Sequence, residues 1–260
     1  MTRATTTVEN RLAVAADVGE FTEAELEGCD EPVARYFRAA IASGTPLARA
    51  ARVRMRGSIK FGKRWVSFHA DELLAPLHGY FWPASVARGL RRGSDSYADG
   101  AASMTWKLLG LVPVIHTSGP DVARSAIGRA VTESVWLPTA LLPRHGVGWW
   151  AENDNHLVAD VPIQGGHVSL QITIDGGGLV RSVHLDRWSD PDGTGDFEWC
   201  PFGMDVAASR TFPCGITMPA EGAGGWFHGT DRWSDGEFFR YTILELAPVG
   251  PVPTPTANKP

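Results

Sequence analysis

The feature that most constrains this chain is the recurrence of short runs in which apolar and polar residues alternate, each run closed by glycine or proline. In 52–61 the apolar positions Val53, Met55, Ile59 and Phe61 alternate with Arg52, Arg54, Arg56 and Lys60, the period of a strand with two chemically different faces. The turn at Gly62-Lys63 leads into a second run over 65–74 and predicts a hairpin. Similar runs follow at 79–85, 94–98, 102–109, 112–117, 147–150, 156–162, 167–174, 179–188, 197–204, 205–212, 222–229 and 237–246. About a dozen strands with short connections predict one antiparallel sheet, and a flat sheet of that size is rare. The expected fold is therefore mainly β, a single curled antiparallel sheet or open β-barrel around a cavity.

Two segments break the pattern and predict covering helices. After Asp30, a potential cap, Pro32 opens a stretch in which Val33, Tyr36, Phe37, Ala40 and Ile41 recur at helical spacing until Gly44. The second helix is expected over 121–135, followed by an apolar connector to Pro143. Residues 1–21 read as a loose N-terminal segment, 22–247 as one β-rich ligand-binding domain, and the proline-rich 248–260 as a disordered tail.

Several classes of function lose their support. No apolar run approaches the roughly 18 residues of a membrane span. The N-terminal residues lack the apolar core of a secretory signal, so a cytoplasmic location is expected. Cys29, Cys200 and Cys214 are an odd set without CxxC spacing, which fits neither a disulfide framework nor a zinc site. With 24 basic and 29 acidic residues, the net charge of −5 argues against a nucleic-acid partner. Nucleophile-elbow, phosphate-loop, dinucleotide-turn and HExxH patterns are missing from the sequence. The loop 190–196 spaces its oxygens like a calcium loop but has Pro201 where a bidentate glutamate would stand, so it reads as a hairpin turn. Neither a metal nor a cofactor is expected.

What remains points to a small hydrophobic ligand. Ten tryptophans suggest a broad aromatic core or an aromatic-lined cavity, for which Tyr80, Trp136, Trp149, Trp150, Trp199 and Tyr241 are candidates, with core packing as the alternative for each. Nine basic residues and no acidic one lie between Arg35 and Arg64. Arg54 and Arg56 share a strand face and could meet an oxyanion on a ligand, or could simply form a solvated sheet face. His184 and Asp186 lie on one strand face, where the carboxylate could orient the imidazole for proton transfer or make a structural hydrogen bond. Glu133 borders an apolar helical stripe with Ala126, Ala130 and Leu137. It is a candidate general acid or base, or a structural carboxylate held by arginine.

The run Glu133-Ser-Val-Trp136-Leu-Pro138-Thr-Ala-Leu-Leu-Pro143, followed by Gly146-Val147-Gly148-Trp149, resembles a bacterial family of unknown function with an E-x-x-W-[FL]-P-T-A-L-L-P signature. The resemblance extends to Arg35-Tyr36, to Arg54-x-Arg56-Gly57, to Leu109-Gly110-Leu111-Val112-Pro113 and to Phe239-Arg240-Tyr241. The expected curled sheet is also similar to the lipoprotein-carrier fold, a half-barrel used by periplasmic lipid carriers and by a cofactor-free enzyme of violacein biosynthesis. Together these readings predict a cavity that binds a hydrophobic or polycyclic molecule and promotes its cofactor-independent cyclisation or isomerisation in a biosynthetic pathway. A non-catalytic carrier or sensor of a lipophilic ligand is the alternative.

Overall fold

A computed structural model describes residues 8–12 and 17–249. The expectation for the tail falls on residues outside that range from 250 onward, and that for 1–21 falls partly outside it. Thirteen strands form one antiparallel sheet: β1 (Ala51–Phe61), β2 (Arg64–Ala75), β3 (Gly79–Val86), β4 (Arg91–Ala98), β5 (Ala101–Leu108), β6 (Val112–Ser118), β7 (Gly148–Ala151), β8 (His156–Ile163), β9 (Gly166–Ile174), β10 (Val180–Ser189), β11 (Glu198–Thr211), β12 (Thr217–Trp226) and β13 (Glu237–Pro248). Their order is β6-β5-β4-β3-β2-β1-β13-β12-β11-β10-β9-β8-β7. Each half is a meander of neighbouring hairpins. The halves meet where β1 pairs with β13, and the sheet ends at β6 and β7 without closing.

Local chemistry sets these hairpins. The pairs Asp99-Gly100 and Gln164-Gly165 take positive φ at both positions, as tight two-residue turns require. The expected strands 197–204 and 205–212 are one strand, β11, because its ladder with β12 runs unbroken through Met204 and Asp205; bulges near Val206 and Ala208 bend it instead. Edge strand β6 carries Pro113 and a register shift opposite Trp106 and Lys107, devices that discourage edge-to-edge pairing.

The helices lie where the alternating pattern lapses. Helix α1 (Glu31–Ala40) has Pro32 in its first turn and buries Val33, Tyr36 and Phe37, with Trp149 of β7 against the last two rings. Helix α2 (Pro120–Glu133) runs from edge strand β6 towards the other half and packs on β10, β5 and β4, so it spans the concave side of the sheet. A short helical turn, α3 (Trp233–Gly236), joins β12 to β13. Beyond α2, the connector 134–145 turns through three 3₁₀ segments with Trp136, Leu137, Leu141 and Leu142 fully buried. Thr139 Oγ1 donates to the Ala48 carbonyl at 2.7 Å, and Trp149 Nε1 donates to that of Leu141 at 2.9 Å. The concave face is thus filled on one side by α1 and this connector. The other side, under α2, stays hollow.

A chamber lined by aromatic rings and a buried charge cluster

The hollow is a chamber of about 380 Å³, a size typical of small-molecule sites. Both halves of the sheet build its apolar walls, with Trp82, Trp106 and Ile59 from the first half and Phe202, Trp226 and Phe239 from the second. A smaller recess of about 180 Å³ adjoins it and shares Asp95, Met104, Ser125, Arg129 and Arg187.

Charged groups meet in this apolar setting because α2 faces inward-pointing strand positions. Arg129 and Glu133 stand one helical turn apart, with Nε to Oε1 at 2.8 Å. The same guanidinium reaches Asp95 Oδ2 at 3.3 Å and Glu72 Oε1 at 3.4 Å, and its carbon lies 4.3 Å from the Tyr80 ring centre and 4.9 Å from that of Trp82. Trp106 Nε1 donates to the other Asp95 oxygen at 3.0 Å. Burial, and then the neighbouring Glu133 carboxylate, push the Glu72 carboxyl well above the usual carboxylate range, against the opposing pull of Arg129. Burial also raises Asp95. Burial alone would lower Arg129, but the surrounding acids outweigh it and keep the guanidinium charged.

Arg187 is different. It projects from β10 into the chamber and stacks on Phe202 at 4.6 Å and Trp226 at 4.8 Å. Its Nε donates to the Ser125 carbonyl at 2.9 Å. Gly128 makes this approach possible, since a Cβ there would meet Arg187 Cγ at 2.7 Å. Burial lowers the Arg187 pKa to about 10, so it is still a cation at neutral pH. Among the described residues it takes part in no ion pair, whereas Arg129 has three. Two further buried polar atoms of the lining, Trp82 Nε1 and Glu133 Oε2, have no hydrogen-bond partner among the described residues.

The residues expected from sequence divide sharply. Glu133 lines the chamber and Tyr80 the adjoining recess. His184 and Asp186 do not join Glu133. They follow the outward period of β10, while Val183, Leu185 and Arg187 take the inward one. His184 instead lines an outer cleft, with Nδ1 3.3 Å from His228 Nδ1, and His228 Nε2 lies 3.0 Å from Asp205. Arg54 and Arg56 likewise point away from the chamber: Val53 and Met55 hold the inner positions of β1, and Arg54 pairs with Glu245 on the outer face. Trp136 and Tyr241 pack against each other in the filled part of the core at 5.2 Å between rings. Trp149 packs under α1, and Trp150 and Trp199 are 44% and 58% exposed. None of these five rings lines the chamber.

Sequence reasoning missed Glu72, Asp95, Arg129 and Arg187. A signal existed for two of them. In the series Phe68, Ala70, Glu72, Leu74 and in Val183, Leu185, Arg187, a charge occupies an apolar period-two face.

An open half-barrel with a chamber under a crossing helix defines the class of protein. The chain belongs to a family of unknown function, DUF6544, whose profile matches residues 19–238, a span that includes the Glu133–Pro143 signature. No curated protein matches it. Among solved structures it is similar to a DUF1329 family protein from Desulfovibrio piger, with 9% identity, a TM-score of 0.45 and coverage of 77% of this chain and 86% of that one. It is also similar to a putative outer membrane lipoprotein-sorting protein domain from Vibrio parahaemolyticus, with 10% identity, a TM-score of 0.41 and coverage of 76% and 84%. A LolA superfamily protein from Nitrosomonas europaea shows 9% identity, a TM-score of 0.41 and coverage of 83% and 91%.

Proposed function

We propose that the protein is a carrier or sensor of a lipophilic small molecule bearing one acidic head group. The observation that supports this is Arg187, a half-buried cation without an ion-pair partner among the described residues, facing a chamber whose other walls are mostly rings and aliphatic side chains. A charge partly withdrawn from water gains when a counter-charge meets it. A carboxylate or phosphate on a ligand meets that need, while the apolar body of the ligand displaces water from the aromatic walls.

The test uses a fluorescent fatty acid and its methyl ester as probes of the full chain. The acid should bind about tenfold or more tightly than the ester, a difference of about 1.4 kcal/mol, and Arg187→Met should remove that preference. Equal affinity of acid and ester for the parent protein overturns the reading.

Cofactor-independent cyclisation or isomerisation stands second, on a different observation. Glu72, a carboxyl whose pKa burial raises, lies beside Glu133 of the lining, an arrangement able to relay a proton. Loss of turnover of a bound ligand in Glu133→Gln, with binding intact, would favour it over the carrier.

A further inference from the structure

Three hairpin tips of the first half lie side by side at one end of the sheet: Gly62-Lys63, the turn 87–90 and the turn 109–111. They hold apolar side chains in water. Leu109 is 66% and Leu111 80% exposed, and Phe61, Leu90 and Val112 are exposed beside them. Leu109 adopts φ 53°, a left-handed conformation that a bulky residue rarely takes and that Asn or Gly would adopt with less strain. The fold gives no reason for a leucine there.

The same tips are basic. Lys60, Lys63 and Arg64 belong to the first, Arg88, Arg91 and Arg92 to the second, and Lys107 to the third, while 60–64, 87–92 and 107–120 contain neither Asp nor Glu. None of these cations forms an ion pair with a described residue. The patch also reaches the chamber, because Phe61, Arg91, Val114 and Ile115 belong to its lining.

We propose that this rim of the first half docks on an anionic phospholipid bilayer, with Leu109 and Leu111 entering the interface and the cations of the three tips facing lipid phosphates. Protruding aliphatic side chains ringed by Lys and Arg match the two attractions such a surface offers, apolar burial and a negative potential. A second copy of the chain fits the patch poorly, since a two-fold contact would set its cations against the same cations. Docking requires no bound ligand, so it stands apart from the carrier reading.

The experiment is co-sedimentation of the full chain with vesicles of about two parts phosphatidylcholine to one part phosphatidylglycerol, against phosphatidylcholine alone. Partition onto the anionic vesicles should exceed that onto neutral ones by about tenfold and fall several-fold as salt is raised. The double variant Leu109→Asn, Leu111→Asp relieves backbone strain at an exposed turn, so its melting curve should match the parent while partition falls about tenfold. Equal partition onto both vesicles, or an unchanged partition of the variant, overturns the proposal. So does a dimer in sedimentation velocity that the variant abolishes while vesicles are ignored. The fatty-acid probe is measured on the same protein: probe binding without vesicle binding removes the docking surface and leaves the carrier, and the reverse result does the opposite.

Discussion

The two halves of the sheet are alike in topology and opposite in charge, and the opposition reverses between interior and rim. Strands β1–β6 point acids inward, Glu72 and Asp95, and carry a basic, leucine-rich rim. Strands β7–β13 point Arg187 inward, and the turns 190–197 and 227–236 at the same end carry five acids, Asp190, Asp192, Asp196, Asp231 and Asp235, with Arg232 as the one arginine. Two of these rim acids have partners of their own: Asp190 accepts from the Thr194 and Gly195 amides, and Arg232 pairs with Asp192 at 2.6 Å. Inward charges answer to α2, whose arginine must be neutralised for the helix to lie over the sheet. Rim charges have no such duty and are free to select what the molecule meets.

The comparison predicts that two arginines of one chamber behave differently. Arg129→Met strands Glu133, Asp95 and Glu72 in the interior without their cation, and breaking such a cluster costs roughly 3–5 kcal/mol. Arg187→Met leaves no acid unpaired and keeps a stem to pack against Gly128, so denaturant midpoints should move by less than about 1 kcal/mol. Urea unfolding of both variants checks this. Comparable losses would mean that Arg187 is held for stability, and the distinction between a structural and a ligand-facing arginine would disappear.

Glu72 sharpens the contrast from the acidic side. Its folded pKa lies above the unfolded value, so the stability it lends is fully present below about pH 4.3 and is lost as pH rises through the raised folded value. Glu72→Gln keeps the shape of the protonated acid and does not titrate. Its advantage over the parent should therefore grow as pH rises from about 5. Melting temperatures of both proteins across that range measure it, and parallel curves would show that Glu72 is ionised within the cluster.

Legibility in the sequence follows the same division between local and long-range order. Period two located nearly every strand, and the proline signal and helical spacing after Asp30 located the first long helix, because each depends on residues close in the chain. The chamber depends on where the chain goes after β6. The signature run Trp136–Pro143, conspicuous in sequence, proves to be filler packed against Tyr241 and Ala48, whereas the hollow lies one helix away. The lining tryptophans, Trp82, Trp106 and Trp226, look no different along the chain from Trp150 and Trp199, which are exposed. Only pairing order and sheet curl decide between them. The nearest readable hint was a charge on an apolar face, and Glu72 and Arg187 both carried it. Arg54 misled for the converse reason: its face was identified from periodicity, but periodicity does not say which face is concave.

The smallest effect concerns the outer surfaces. On the outer face of β1 Arg54 pairs with Glu245 of β13, whereas further round the second half the outer cleft joins His184 to His228. Burial, and then the proximity of His228, lower the His184 pKa; Asp186 opposes the shift but does not overcome it. A folded pKa below the unfolded value of about 6.5 means that the unfolded chain binds the extra proton first, so this contribution is present above pH 6.5 and is lost as pH falls through the lowered value. Because the site is half open to solvent, the loss between pH 7 and 5 should be only a few tenths of a kcal/mol. His184→Asn should flatten that part of the stability profile and leave the His228–Asp205 contact in place. Urea midpoints at the two pH values decide it. If the variant loses as much stability as the parent on acidification, the acid-sensitive group lies elsewhere, with the half-buried His78 and His145, both lowered by burial, as the next to replace.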